Sequence, residues 1–352
     1  MSGSLTGPQY GGLVPGGPIG QQLQFITRRA VIPAVYVQIY QSHPLLSLLF
    51  ANAQRARGGV SMVTIPIQGA AFTQFSWGSF AGDFPMPVDQ AAIFDAQFNL
   101  KLGMIPIGFF GMEALVQSSE VIIPKLRVVM SDAAVVLKKS LAASLYTNNS
   151  ATPNVMDSLV QAYDDGTNVT SYGGISRVGT GYFNGQYYPN PIQLTTRQGM
   201  AIWLTQIMTG AGGESVDFVV MNPAQWAALM SDFMGLEMFQ STARSQYGTD
   251  DHVNAGFRAL RVLDTPIFSD PYCPLGQVHA INSRYLALYI SEFTSPMVFS
   301  GFESQIPNGQ IANIGVLISA LDLVCAKPSS GAYAVNVPGG AWPNTLATPV
   351  VV

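Results

Sequence analysis

The residues whose types could support metal or cofactor chemistry are few and far apart. His43, His252 and His279 show no metal-ligand spacing. Cys273 lies shortly before His279, but a zinc site needs more ligands than these two. We therefore interpret the pair as a buried thiol and an ordinary imidazole, and we predict no metal and no cofactor. Cys325 is too distant in sequence to suggest a disulfide framework, which favours a reduced, intracellular setting.

Patterns of catalysis or phosphate binding are equally weak. The glycine-rich segment that begins at Gly210 follows a predicted helix and precedes a predicted strand, the reverse of the order that presents backbone amides to a phosphate. Asp164 and Asp165 could form a carboxylate pair, but Gly166 follows them, and we interpret the segment as a solvated turn. No motif brings serine, histidine and aspartate together as a nucleophilic site. The sequence predicts a protein that is not an enzyme.

Two other groups of residues are candidates for contacts with protein. Arg28 and Arg29 form an isolated basic pair, which favours an anchor for the carboxylate of a partner over a nucleic-acid site. The second group is aromatic and comprises Phe72, Phe75, Trp77 and Phe80. Aromatic rings can stack on bases, but no lysine or arginine is interleaved with these, as a nucleic-acid surface requires. We predict that both groups pack against protein at subunit interfaces.

Charge is scarce throughout the chain. Charged residues make up 10% of the 352 residues, against about 25% in ordinary soluble proteins. The mean hydropathy is +0.26, but the apolar stretches are shorter than the about 20 residues of a membrane-spanning helix, so no membrane association is predicted. A net charge of −4 argues against a basic surface that grips DNA, although not against a container for it. Because a monomer needs a charged surface to stay unassociated, we expect other copies of the chain to cover much of this one.

Periodicity predicts a mixture of helices and strands. The strongest helix is Ser119–Tyr146, where apolar residues recur at steps of three and four. Alternation in 91–102, with a strand in 60–67, predicts a long two-stranded hairpin. Other predicted helices cover 42–57, 195–209 and 223–234, and predicted strands cover 215–221, 259–263, 277–282 and 285–290. The apolar stretches 104–116 and 314–326 are interpreted as buried strands or core helix segments.

Three segments, in order after the hairpin and the long helix, resemble those of tailed-phage major capsid proteins with the Hong Kong 97-type fold. Tyr172-Gly-Gly-Ile-Ser-Arg177 resembles a Gly-Gly-Ile-(Asp/Ser)-Arg stretch seen in many of them. Residues 217–229 are similar to their strand-then-helix segment, and residues 265–282 to their strand, turn, strand and Asn pattern. By layout, the resemblance covers nearly the whole chain. We add Tyr172 and Arg177 to the predicted subunit-interface residues.

The resemblance implies an α+β fold with a fixed order of parts. An N-terminal arm, an extended β-hairpin loop, a peripheral domain with a long spine helix, an axial domain and a C-terminal tail would follow one another. The implied bounds are 1–57 for the arm, 58–106 for the loop, 107–163 and 285–328 for the peripheral domain with its spine helix at 119–146, 164–284 for the axial domain, and 329–352 for the tail.

The function implied by the resemblance is that of a major capsid protein. Copies would assemble, as hexamers and pentamers, into the icosahedral head shell that encloses packaged double-stranded DNA without sequence-specific binding. Assembly would occur in the host cytoplasm, with a separate scaffold protein, a portal and cement or decoration proteins as partners, and the final location would be the virion. Some members crosslink a loop lysine to an asparagine, but no lysine occurs between Met1 and Leu100, so none is expected here. The alternative is an encapsulin-like shell that holds enzyme cargo, which the glycine-rich start of the chain disfavours.

Overall fold

The chain divides into two compact units, each built from separated stretches of sequence. The computed structural model describes residues 43–56, 61–69, 93–110, 119–178, 181, 183–190, 193–240, 259–294, 298–304 and 312–338. Unit 1 consists of Met1–Val60, Lys101–Ala142 and Tyr289–Leu321, and unit 2 consists of Ser61–Leu100, Ala143–Leu288 and Asp322–Val352.

Helices and strands both contribute to each unit. The helices are α1 (Pro44–Ala51), α2 (Ser119–Tyr146), α3 (Leu159–Tyr163), α4 (Arg197–Gly210) and α5 (Pro223–Gln240), with short 3₁₀ turns at Glu292–Thr294 and Pro328–Ser330. The strands are β1 (Gln54–Ala56), β2 (Met62–Gln68), β3 (Ile93–Asn99), β4 (Lys101–Phe110), β5 (Ser171–Tyr172), β6 (Ile175–Ser176), β7 (Gln186–Tyr188), β8 (Phe218–Met221), β9 (Ala259–Val262), β10 (Thr265–Ser269), β11 (Val278–Ile281), β12 (Leu286–Ser291), β13 (Val298–Ser304), β14 (Ala312–Cys325) and β15 (Ala332–Ala334).

The long helix predicted from periodicity is confirmed, because α2 has the bounds Ser119–Tyr146. Ala133, Leu137 and Leu145 lie at multiples of four residues and are all buried, as the inner face of a helix requires. Val128 and Val136 lie off this face and are exposed by 60% and 53%. The helix therefore has apolar side chains on more than one face.

The predicted helix over 42–57 is too long at its C-terminal end. Helix α1 ends at Ala51, where the backbone N–H of Asn52 donates to the carbonyl of Leu48 and that of Ala53 donates to the carbonyl of Phe50. Arg55, expected in the last helical turn, instead lies in β1, which pairs in parallel with β12 of unit 1. An available sheet partner overrides the weak helix preference of such a short segment.

Unit 1 is organised around the long strand β14. All of β4 pairs antiparallel with the first part of β14, from Lys101 opposite Leu321 to Phe110 opposite Ala312. Strand β13 pairs with the other edge of β14, and the sheet continues from β14 to β12 and β1. The apolar stretch 314–326, interpreted as a buried strand or a core helix segment, is a strand, because its residues 314–325 lie in β14.

Unit 2 contains a six-stranded mixed sheet in the order β7-β15-β11-β8-β10-β9. Its core is apolar and includes Met200, Trp203 and Ile207 of α4, together with Leu229 of α5. Sequence prediction located α4, β8 and the start of α5, but α5 ends at Gln240 and not at 234. Asn222 caps the start of α5, because its Oδ1 accepts the backbone N–H of Ala224.

The expected C-terminal tail over 329–352 is wrong in its first part. Strand β15 pairs antiparallel with β11 and in parallel with β7. Its central residue, Tyr333, is 1% exposed, and Val337 beyond it is 3% exposed. The strand is short and is flanked by glycine and proline, so the composition of this segment predicts a tail instead of a strand.

The hairpin predicted from alternation is confirmed for β2 and β3, which pair antiparallel from Met62 opposite Asn99 to Gln68 opposite Ile93. Its second strand ends sooner than expected. Lys101 already begins β4, which belongs to the sheet of unit 1, so the alternation over 91–102 spans two different strands.

Candidate subunit interface

Most of the predicted interface residues lie outside the described residues. These are Arg28, Arg29, Phe72, Phe75, Trp77 and Phe80. Their interface role stays a prediction. The structure does describe Tyr172 and Arg177, and it brings these two together.

Arg177 is held inside its own subunit, which contradicts its predicted place at an interface. Its Nη1 and Nη2 donate to the carbonyls of Gln161 and Ala162 at 2.6 and 2.8 Å, and Nε donates to the carbonyl of Phe183 at 3.1 Å. The side chain is 1% exposed, and burial lowers the pKa of its guanidinium. A side chain so enclosed within one chain has no surface to offer a neighbour, so its role is to close α3 onto the following loop.

Tyr172 is also internal, and its predicted interface role is wrong for the same reason. The side chain is 3% exposed, and its ring lies 4.8 Å below the guanidinium carbon of Arg177. Its hydroxyl accepts the backbone N–H of Cys325 at 3.1 Å and donates to the carbonyl of Leu323 at 3.4 Å. The Gly-Gly-Ile-Ser-Arg motif therefore organises the interior of unit 2.

Asp164 contradicts the prediction of a solvated turn at Asp164-Asp165. Its side chain is fully buried. The carboxylate accepts five hydrogen bonds, which come from the backbone N–H groups of Gly166, Asn168 and Val169, the side-chain amide of Asn168 and the hydroxyl of Tyr333. One signal of this was present in the sequence, since an aspartate followed by Gly and Asn is typical of a turn that the carboxylate itself closes.

Cys273, Cys325 and His279 are all buried. The prediction of a buried thiol is confirmed for Cys273, whereas His279, interpreted as an ordinary imidazole, lies in the core. Burial raises the pKa of the Cys325 thiol to about 12 and lowers the pKa of His279 to about 3. Among the described residues, no three of the His, Cys, Asp and Glu side chains are close enough together to hold a metal ion. In the same part of the chain, no helix is both long and apolar enough to cross a membrane.

An apolar row along β4 is exposed in the single chain. We call Leu102, Met104, Pro106 and Gly108 the β4 face, because they alternate along the strand and all point away from the buried side that carries Ile107. Leu102 and Met104 are exposed by 52% and 60%. The interpretation of 104–116 as a buried segment is therefore wrong for Met104. Periodicity reveals an apolar strand, but not whether the chain itself covers both faces.

No protein-family model matches the sequence, and no curated protein matches it. The structure, however, is similar to the solved capsid asymmetric unit of cyanophage A-1(L), with a TM-score of 0.57 and 17% sequence identity. The alignment covers 84% of this chain and 92% of that chain. The chain has the Hong Kong 97-type fold of tailed-phage major capsid proteins.

Two further solved structures are similar at lower scores. The capsid asymmetric unit of cyanophage Pam1 has a TM-score of 0.49 and 11% identity, and the alignment covers 80% of this chain and 86% of that one. The holo-SrpI encapsulin complex from Synechococcus elongatus PCC 7942 has a TM-score of 0.47 and 11% identity, with 85% and 89% covered.

The β4 face is the candidate interface that sequence reasoning missed in this Hong Kong 97-type chain. Single exposed apolar residues are ordinary on protein surfaces, but a row of them along one strand marks a surface suited to another protein. Lys101 is the only charged residue within β4 itself. The low charge of the whole sequence indicated that some surface is covered by another copy, but it could not show that the β4 face is that surface.

Proposed function

We propose that this chain is a major capsid protein that self-assembles into an icosahedral shell around packaged double-stranded DNA. The observation that carries the proposal is the backbone similarity to a phage capsid protein over 84% of this chain and 92% of that one. In this reading the shell is part of the virion, and its subunits hold together by burying apolar surface against one another.

The exposed surface supports self-association. Leu102 and Met104 of the β4 face would be covered by a second copy, which removes them from water without any charged group needing a partner. Residues 44–56 of the predicted arm and 101–106 of the predicted loop belong to α1, β1 and β4 of this chain itself. The remaining parts of the two segments, 1–42 and 57–100, are further candidates for overlap between copies. No lysine occurs before Lys101, so we propose that the overlap is non-covalent.

The charge balance supports enclosure of DNA over binding of DNA. Sixteen Lys and Arg residues face 20 Asp and Glu residues, which gives a net charge of −4. A wall of this charge does not neutralise phosphates, so packed DNA would slide past it without being held in sequence-specific contacts.

The experiment is expression of the chain alone and with its neighbouring genes, followed by electron microscopy and nuclease treatment of purified particles. We expect closed shells, and we expect DNA inside them to survive the nuclease when the packaging genes are present. Particles that contain a protein cargo and no DNA would instead support an encapsulin-like compartment. A chain that stays monomeric at high concentration contradicts both.

A matched pair of variants tests the β4 face. Leu102→Asp with Met104→Asp places two charges where an apolar contact is proposed, so assembly should be lost while the free subunit stays folded. Leu102→Met with Met104→Leu keeps the apolar surface and should assemble like the natural chain. Normal assembly of the doubly charged variant would exclude the β4 face as an interface.

A further inference from the structure

Within unit 2, the β2–β3 hairpin contacts the β5–β6 turn through two consecutive residues of β3. The ring of Phe98 meets the ring of Tyr172 edge to face, with centroids 5.0 Å apart. Beside it, the backbone N–H of Gln97 donates to the carbonyl of Gly173 at 2.8 Å. An aromatic contact and a backbone hydrogen bond thus join two consecutive residues of β3 to two consecutive residues of the Gly-Gly-Ile-Ser-Arg motif. We call Tyr172, Gly173, Gln97 and Phe98 the hairpin seat.

Gly173 is the residue that makes this close approach possible. Its φ of +56° is in the left-handed region, and a Cβ at this position would lie 2.7 Å from Cζ of Phe98 and 3.1 Å from Cβ of Ala96. Phe98 cannot swing away easily, because its side chain is 1% exposed and its neighbour Gln97 is tied to the same glycine. Only a residue without a side chain fits here.

The neighbouring Gly174 has no such contact. Its φ of +76° is also left-handed, but a Cβ built on it meets nothing within 4 Å. The two glycines therefore share the demands of the β5–β6 turn and differ in one respect, which is the approach of the hairpin. Substitutions at the two glycines can therefore distinguish the backbone conformation that the turn requires from the free space that the hairpin contact requires.

Along β3, the exposure of the apolar side chains rises with distance from the seat. Ala96 and Phe98 are 0% and 1% exposed, whereas Ile93 and Phe94 are exposed by 69% and 41%. Successive residues of a strand point to opposite faces, and Phe94 shares its face with the cross-strand residue Ile67, which is 9% exposed. At this end of the described hairpin the exposed face is therefore the one that carries Ile93.

We propose that the hairpin seat sets the direction in which the hairpin leaves its own subunit, so that Gly173 is a positioning residue for assembly. The inference rests on the proposed function, in which the hairpin reaches a neighbouring copy. The hairpin seat fixes the orientation of the hairpin before a neighbouring copy binds, which lowers the conformational entropy that is lost when the contact forms. The motif thereby acts on assembly from inside the subunit, without touching another copy.

The test compares Gly173→Ala with Gly174→Ala in the full chain. Both variants place a side chain on left-handed backbone, and only Gly173→Ala also collides with Phe98. In the unassembled subunit, hydrogen–deuterium exchange over 93–99 should be about twofold to tenfold faster in Gly173→Ala than in Gly174→Ala, as expected from loss of one aromatic contact. Exchange in β8, at Phe218–Met221, should be the same in both. Gly174→Ala should form closed shells, and Gly173→Ala should form open or irregular ones.

A second variant keeps the test independent of backbone strain. Phe98→Leu leaves Gly173 unchanged but removes the ring from the seat, and it should accelerate exchange over 93–99 and disturb shell closure in the same way. Equal hairpin exchange in the two glycine variants, or natural shells from Gly173→Ala, would overturn the proposal. If the natural chain itself forms no shell, the proposed function fails separately, and the exchange comparison still decides whether Gly173 holds the hairpin.

Discussion

The hydroxyl of Tyr333 donates a hydrogen bond of 3.0 Å to Oδ1 of Asp164, although the two residues stand 169 positions apart. Burial and the nearby carboxylate raise the pKa of the Tyr333 phenol, so the proton stays on tyrosine throughout the ordinary pH range. This contact joins the late strand β15 to the turn after α3. It also completes the set of donors around a carboxylate that has no access to water.

Replacement of Asp164 by Asn should destabilise unit 2 by about 2–4 kcal/mol. An amide would place its NH₂ group opposite donors whichever way it is turned, because N–H or O–H groups approach both carboxylate oxygens. Denaturant unfolding of the free subunit measures the effect. Asp165→Asn is the matched control, since Asp165 accepts only an exposed bond from the Thr167 N–H, and its change should stay within about 0.5 kcal/mol. Equal stability of the two variants would contradict the role of Asp164.

Arg177→Lys should cost about 2–4 kcal/mol of stability despite keeping the charge. Arginine reaches three backbone carbonyls with three different nitrogens, and a lysine ammonium has no fork that spans them. The unpaired carbonyls would remain buried. Thermal or denaturant unfolding provides the measurement, with Arg197→Lys on the exposed first turn of α4 as the control expected to change little. If Arg177→Lys is as stable as that control, the guanidinium contacts do not close α3 onto the loop.

The subunit should lose stability in mild acid because of His279. Burial lowers the pKa of this imidazole from 6.5 to about 3, and the negative charge of Asp270 offsets only part of the shift. Below pH 6.5 the unfolded chain binds a proton that the folded chain refuses, so stability falls with decreasing pH until about pH 3, by up to about 1.4 kcal/mol per pH unit. His279→Phe can keep the stacking on Tyr333 and has no proton to take up. Its stability should therefore fall less between pH 6.5 and 5 than that of the natural chain, and identical slopes would show that His279 is not the group responsible.

The turn between β9 and β10 should accept a stabilising substitution. Leu263 and Asp264 have φ values of 49° and 62°, and the flanking residues Val262 and Thr265 are paired, so this is a two-residue hairpin turn with both central residues left-handed. Leucine is poorly suited to that conformation, and its side chain is 62% exposed. Leu263→Asn should raise the free energy of unfolding by about 1 kcal/mol. Leu275→Asn, at a leucine exposed by 61%, should leave it nearly unchanged.

Local patterns predicted the elements of this fold well, because the deciding information lies within each segment. Helix α2 follows from its four-residue apolar repeat, and the start of α5 follows from Asn222 before Pro223. The β2–β3 pairing follows from alternation. These features depend on residues that are neighbours along the chain, and they can therefore be predicted without tertiary information.

What the sequence could not provide was the partner of each segment. Arg55 lies in a strand because β12 offers an edge, and Asp164 is buried because Tyr333 arrives from far along the chain. Tyr172 and Arg177 were recognised as a motif but assigned to a surface, since a sequence does not distinguish a residue that binds another copy from one that packs within its own. Burial in the single chain made that distinction.

Strand β15 has a consequence for the time course of synthesis. A ribosome exposes β7 at 186–188 and β11 at 278–281 well before residues 332–334, yet β7 joins the sheet only through β15. A nascent chain is therefore unable to finish unit 2 until this last strand emerges. A polypeptide released before residue 332 lacks this strand, so its β7 has no place in the described sheet and its β11 has one free edge.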